Sequence, residues 1–110
     1  MVRRYVPDTG DVVWINFNPQ AGREQARYRP AVVLSPSVYN EKSGLIICCP
    51  ITSQIKRYPF EVQVSGQTSG VVLADHLKSM DWRVRGAKPK GKISGTELAE
   101  IRAKLRTLLG

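Results

Sequence analysis

Histidine is almost missing from this sequence: His76 is the only one in 110 residues. A mechanism that uses two imidazoles of one chain as base and acid is therefore closed. Cysteine is nearly as scarce. The only two, Cys48 and Cys49, are adjacent, and neighbouring cysteines bridge poorly because the disulfide strains the peptide between them. With no cysteine and histidine cluster at metal-ligand spacing, no zinc site is expected, nor any other metal or cofactor. The pair reads as reduced thiols used as small core residues in a cytosolic protein. No apolar run approaches the roughly 18 residues of a membrane helix, and Met1–Gly10 carries no signal-peptide pattern. Neither export by such a signal nor membrane insertion is expected. Repeats and low-complexity segments are absent as well.

Acidic residues are outnumbered. Seventeen Lys and Arg stand against nine Asp and Glu, a net charge of +8. On a small surface this makes a positive field that attracts polyanions, with nucleic acid the natural class and plain solubility the alternative. An apolar fraction of 42% and a charged fraction of 24% are those of a folded domain. The length suits one domain over residues 1–110.

Asp11–Phe17 (DVVWINF) alternates and is rich in β-formers, so it reads as a strand. Asn18–Arg29 is polar, with Pro, Gly and four charges, and reads as a long loop. Pro30–Leu34 is a short apolar strand ended by Ser35-Pro36. Leu45–Ile51 (LIICCPI) is a continuous apolar run, as in a strand buried on both faces, and Pro50 marks an end or a bulge. Phe60–Val64 alternates, Gly70–Ala74 begins another apolar run that extends towards Lys78, and Trp82–Ala87 (WRVRGA) reads as a further short strand. At Ser94 the period changes. S-G-T-E is a capping box, and Leu98, Ile101, Leu105 and Leu108 follow at helical spacing. The expected fold is α+β: a small, strongly bent antiparallel sheet or SH3-like barrel with short helices and a C-terminal amphipathic helix.

Arg4–Phe17 (RYVPDTGDVVWINF), Glu24-Gln25, Arg29–Pro36 (RPAVVLSP), Tyr39-Asn40, Pro50–Thr52, Tyr58–Val62 (YPFEV), Leu73–Asp75 and Asp81–Arg83 resemble, in this order, the MazF/PemK family of bacterial toxin ribonucleases, nearer its MazF branch. The resemblance covers essentially the whole chain. It implies a homodimer that cleaves single-stranded messenger RNA at short sites without metal, leaving a 2′,3′-cyclic phosphate and a 5′-hydroxyl. It also implies a MazE-like antitoxin partner that lays an acidic C-terminal segment over the RNA groove.

RNA carries its own nucleophile, the 2′-hydroxyl. The enzyme must stabilise charge on the phosphoryl oxygens and manage two protons. Arg29 suits the first task, because a guanidinium holds two oxygens at once; the bland reading is an exposed loop arginine. Thr52 would donate its hydroxyl to the phosphate, or simply be a strand threonine. Glu24 sits among Arg23, Arg27 and Arg29. It either takes the 2′-hydroxyl proton or orients Arg29, and the surrounding cations weaken it as a base. The resemblance places these three at the cutting site. Candidate RNA contacts are Asn16, Phe17, Gln25, Tyr28, Ser53, Gln54, Lys56, His76, Lys78, Met80, Arg83 and Arg85. Among them Phe17 and Tyr28 could stack on bases, while Phe17 and Met80 could equally be core residues.

Arg27 and Tyr28 stand where the MazF branch commonly has Gly and His, and Arg57 stands where a Gly is usual, adding a cation near the groove that, with Lys56, Lys78, Arg83 and Arg85, could track phosphates. These departures bear on the RNA sequence cut, for which the resemblance suggests ACA-type or UAC-type sites. Two other functions fit a basic barrel: a CcdB-like toxin that poisons gyrase by contact, and a non-catalytic nucleic-acid-binding module.

Overall fold

Period-two alternation builds the sheet. In β1 (Asp11–Asn16) Val13 and Ile15 bury on one face and Val12 on the other. The same division continues through β2 (Tyr28–Val33) and β3 (Leu45–Thr52), where the adjacent Cys48 and Cys49 fall on opposite faces, both fully buried. The computed structural model describes residues 4–17, 28–66 and 69–110. After β3 come β4 (Glu61–Val64), β5 (Gly70–Leu73), a single 3-10 turn (Ala74–His76), β6 (Lys78–Asp81) and β7 (Lys88–Lys92). Helix α1 (Ser37–Ser43) links β2 to β3, and helix α2 (Gly95–Leu109) ends the chain.

Among the described residues the strands form one antiparallel sheet in the order β4-β5-β3-β2-β1-β7, with β6 also on β3. Strand β3 is shared. One side pairs with β2; the other pairs with β6 over Leu45–Cys48 and then with β5 over Ile51–Thr52. Pro50 lies at this change of partner. The Ile47 carbonyl points to β2, so by alternation Pro50 turns its missing N–H towards the gap between β6 and β5, where no ladder bond is lost.

Because both faces bury apolar residues, the sheet curls into a half-barrel. One core holds Val12, Val32, Cys49, Ile51, Val62, Val72 and Ile101 under α2; the other holds Val13, Ile15, Ala31, Val33, Ile46, Cys48, Met80 and Trp82. Burial pushes both thiols up to about 12, so they are inert core residues. The expected C-terminal helix forms with its capping box: Ser94 Oγ accepts the Glu97 N–H at 3.1 Å and Glu97 Oε1 accepts the Ser94 N–H at 2.9 Å. The stripe is anchored by Ile101 and fades at Leu108 and Leu109, which are exposed. Ser94→Ala should cost about 1 kcal/mol in urea unfolding. A loss below about 0.3 kcal/mol would mean that packing alone starts the helix. The Ser94 N–H, aided by that of Ser65, holds the Glu97 carboxyl below its ordinary range. This contribution is present above the unfolded carboxyl pKa and is lost as pH falls through the lower folded value.

Three expectations are corrected. Trp82–Ala87 is a run of turns, not a strand. Asp81 Oδ1 accepts the N–H groups of Arg83 and Val84 (3.0 and 2.9 Å), and Gly86 has φ 63; the side chain of Asp81 thus replaces ladder bonds with a turn. Its apparent alternation arises because Trp82 is buried and Val84 is open to solvent. The run from Gly70 towards Lys78 is split by the 3-10 turn into two strands that pair separately with β3. Helix α1 is the short helix expected of the fold, but neither its position nor strand β7 (KPKGK) could be assigned from the sequence, since neither has an apolar pattern. Strand β7 forms by pairing with β1 across an irregularity at Val12/Val13. Of the expected loop 18–29, Tyr28 and Arg29 belong to β2, and residues 18–27 lie outside the described residues.

Candidate active site

Arg29 is the second residue of β2, and Thr52 closes β3. The register pairs Ala31 with Pro50, Val32 with Cys49 and Val33 with Cys48. Continued by two residues, it sets Arg29 opposite Thr52, on the sheet face that Ala31 and Cys48 share. On the other side of each strand, Arg29 pairs with Ile15 and Thr52 with Val71. Arg29 is exposed and Thr52 half-buried. Thr52 Oγ1 accepts the Gln54 N–H at 3.2 Å, which leaves the hydroxyl proton to be donated.

Thr52 lines a cleft of about 490 Å³ together with Gln54, Lys56, Arg57, Tyr58 and His76. The cleft is built by the loop between β3 and β4 folding back over the sheet. Glu61 holds that loop: Oε2 accepts the Lys56 N–H and Oε1 the Arg57 N–H, both at 3.1 Å. At the far wall Tyr58 Oη donates to Asp75 Oδ2 at 2.7 Å. This bond, then burial and the Asp75 charge, raises the Tyr58 phenol above its ordinary pKa, so it stays protonated at neutral pH. Asp75 Oδ1 is buried without a hydrogen bond among the described residues, 3.9 Å from His76 Nε2. Of this pair, the His76 imidazole is exposed and is the group able to hydrogen-bond a base edge.

Other candidates fall into distinct places. Ser53 is exposed between Thr52 and Gln54. Lys78 pairs with Cys48 across β3–β6, and both Lys78 and Arg85 lower the Cys48 pKa against the larger effect of burial. By this register Lys78 belongs to the Arg29–Thr52 face. Arg85 is also structural: its Nη1 donates to the carbonyls of Asn16 and Phe17 at 3.1 and 2.8 Å, while its own carbonyl accepts the Asn16 N–H. Phe17 is half-buried against the second core. Met80 is a correction: it is 4% exposed with Sδ 3.6 Å from Cys48 Sγ, so the core claims it and it offers no base a surface. Arg83 lies over Trp82, 4.9 Å from the ring centroid, and donates to the Glu41 carbonyl, at the α1 end of the molecule. Tyr28 alternates with Arg29 onto the opposite face. It stacks on Trp14 at 6.5 Å beneath Lys88. Glu24 and Gln25 lie outside the described residues.

A family model described as the PemK-like, MazF-like toxin of type II toxin–antitoxin systems matches residues 8–109. The chain belongs to this family. It is 56% identical to the endoribonuclease toxin MazF of Escherichia coli K12 over the full length of both chains. The ChpB endoribonuclease toxin of the same strain is 33% identical, with 99% of each chain covered. A MazE–MazF crystal structure from Deinococcus radiodurans matches with a TM-score of 0.87 and 49% identity, covering 97% of this chain and 98% of that one. The chain is accordingly an endoribonuclease toxin of the MazF/PemK family, and the sequence resemblance stands.

Within that toxin family frame, Tyr58, Glu61 and Asp75 are the cleft residues that sequence reasoning left without a role. Their motifs, YPFEV and LAD, were visible. Nothing in the linear order says that the two meet across the cleft; the β4–β5 pairing, which joins Glu61 to Leu73, does that.

Proposed function

We propose that this toxin cuts single-stranded messenger RNA without a metal ion, at the face where Arg29 and Thr52 stand opposite one another. The placing of Thr52 in a cleft that Lys56 and Arg57 also line, with the β2–β3 register running towards it from Arg29, is the observation that carries the reading. The Arg29 guanidinium binds the non-bridging oxygens of the scissile phosphate and stabilises the charge that builds there. Thr52 donates its hydroxyl to the same phosphate and aligns it. Glu24, five residues before Arg29 in the sequence, orients it. The 2′-hydroxyl gives its proton to solvent water and its oxygen bonds to phosphorus, the bond from phosphorus to the 5′-oxygen breaks, and that oxygen takes a proton from Arg29, which regains one from solvent. A 2′,3′-cyclic phosphate and a 5′-hydroxyl result. Arg29 is better suited to give the second proton than to take the first, because a guanidinium stays protonated in proteins.

Lys56, Lys78 and Arg85 hold the flanking phosphates, with Gln54, Ser53 and His76 nearer the bases. The toxin acts in the cytoplasm as a homodimer. No described helix is long and apolar enough to cross a membrane. Its partner is a MazE-like antitoxin, a reading supported by the MazE–MazF complex of the Deinococcus relative; the antitoxin inhibits it by laying an acidic segment on the same cations.

Incubation with a short mixed RNA in EDTA tests the reading. Cleavage should proceed at an undiminished rate and leave cyclic-phosphate ends. Intact RNA in EDTA, restored to cleavage only by added divalent cations, would overturn the metal-independent mechanism. Intact RNA under all conditions with gyrase blocked would favour a CcdB-like poison.

A further inference from the structure

Arg57 has φ 59 and is the only non-glycine at positive φ among the described residues. There the Cβ crowds the following carbonyl oxygen, a strain that glycine escapes. The loop imposes this conformation whatever the side chain, through the grip of Glu61 on the Lys56 and Arg57 N–H groups and the Glu61 N–H donated to the Tyr58 carbonyl at 3.0 Å. The side chain gives nothing back to the fold. It is exposed, and among the described residues its guanidinium has no hydrogen bond, ion pair or ring contact. Glu61, the nearest carboxylate in sequence, has both oxygens engaged by the loop backbone. Yet Arg57 stands on the rim of the cleft that contains Thr52. A strained backbone that carries an uncommitted charged fork at the mouth of a cleft points to a ligand for that fork, and a guanidinium of this geometry fits a phosphate.

We propose that Arg57 binds a backbone phosphate flanking the cut, and that this chain keeps it there despite the strain. The proposal rests on the RNA reading of the cleft and sharpens it, because it makes one residue responsible for part of the affinity and for none of the chemistry. The turnover number should therefore be insensitive to Arg57 while KM responds.

The test uses the intact protein and 2′-O-methyl RNA of randomised sequence, which lacks the nucleophile. Binding is titrated at several salt concentrations for the wild type, Arg57→Gly, Arg57→Lys and Lys42→Ala; Lys42 lies on α1, beside the opposite end of β3 from Thr52. Arg57→Gly should raise Tm by about 2–5 °C and weaken binding about three- to tenfold. It should also reduce the slope of log K against log salt by about 0.7, the value for one phosphate contact to a single strand. Arg57→Lys should keep most of the slope, and Lys42→Ala all of it. An Arg57→Gly protein with wild-type slope and affinity, or with a lower Tm, overturns the proposal alone. A wild-type protein that fails to bind overturns the RNA reading and the proposal together.

Discussion

Arg29→Ala is expected to slow single-turnover RNA cleavage by at least two to three orders of magnitude, roughly the loss seen when one transition-state charge stabiliser is removed. Arg29 is exposed at the start of β2, so the fold should change by no more than about 0.5 kcal/mol. Thermal unfolding of the variant is the control. The charge alone is not enough. Arg29→Lys keeps a cation but gives up the two parallel hydrogen bonds of the guanidinium, and should recover only a small part of the rate. Thr52→Val removes a hydroxyl at nearly constant shape and should cost less than Arg29→Ala, because it aligns the phosphate and does not carry the charge. An Arg29→Ala enzyme within tenfold of wild type would remove Arg29 from the chemistry and leave the cleft as a binding site only.

The second large effect lies away from the cleft. Asn40 is fully buried and ties four chain segments together. Its Nδ2 donates to the carbonyls of Pro7 (2.8 Å) and Ser35 (3.0 Å), its Oδ1 accepts the Ser35 hydroxyl at 2.6 Å, and its carbonyl accepts Trp82 Nε1 at 2.8 Å. Asn40→Ala leaves the Pro7 and Ser35 carbonyls and the Ser35 hydroxyl short of partners in a site without water access. The cost should be about 3 kcal/mol. In urea the midpoint should fall with the m-value unchanged. Asn40→Asp should be at least as harmful, since it turns a carboxylate towards two carbonyl oxygens. A loss under about 1 kcal/mol for Asn40→Ala would show that the network can re-form around the gap.

Much of the sheet was readable because its signal is local. Alternation in Asp11–Asn16 and Glu61–Val64, and the apolar run of Leu45–Thr52, name strands before any partner is known. The Ser94–Glu97 box and Ile101 do the same for α2. Where the local signal is weak, the partner decides. Lys88–Lys92 has no apolar residue except Pro89 and becomes a strand only because β1 offers an open edge. Ser37–Ser43 lacks an apolar stripe. Its Asn40 nevertheless ties the helix to Pro7, Ser35 and Trp82, which are far apart in sequence.

The sequence by itself determined the family, the charge and the scarcity of histidine and cysteine, and therefore the class of chemistry. It also nominated Arg29 and Thr52, through motifs that neighbouring residues spell out. Tertiary structure decided which candidates share a surface. Side chains one residue apart on a strand leave on opposite faces, so Tyr28 parts from Arg29 although they are adjacent in the chain. The β2–β3 register, continued two residues past Ala31–Pro50, then points Arg29 towards Thr52, 23 positions later. Packing removed Met80 to the core, and the turn after Asp81 carried Arg83 to the α1 end. The strain at Arg57 was also beyond the sequence, because a backbone dihedral is set by what Glu61 holds and not by the arginine itself.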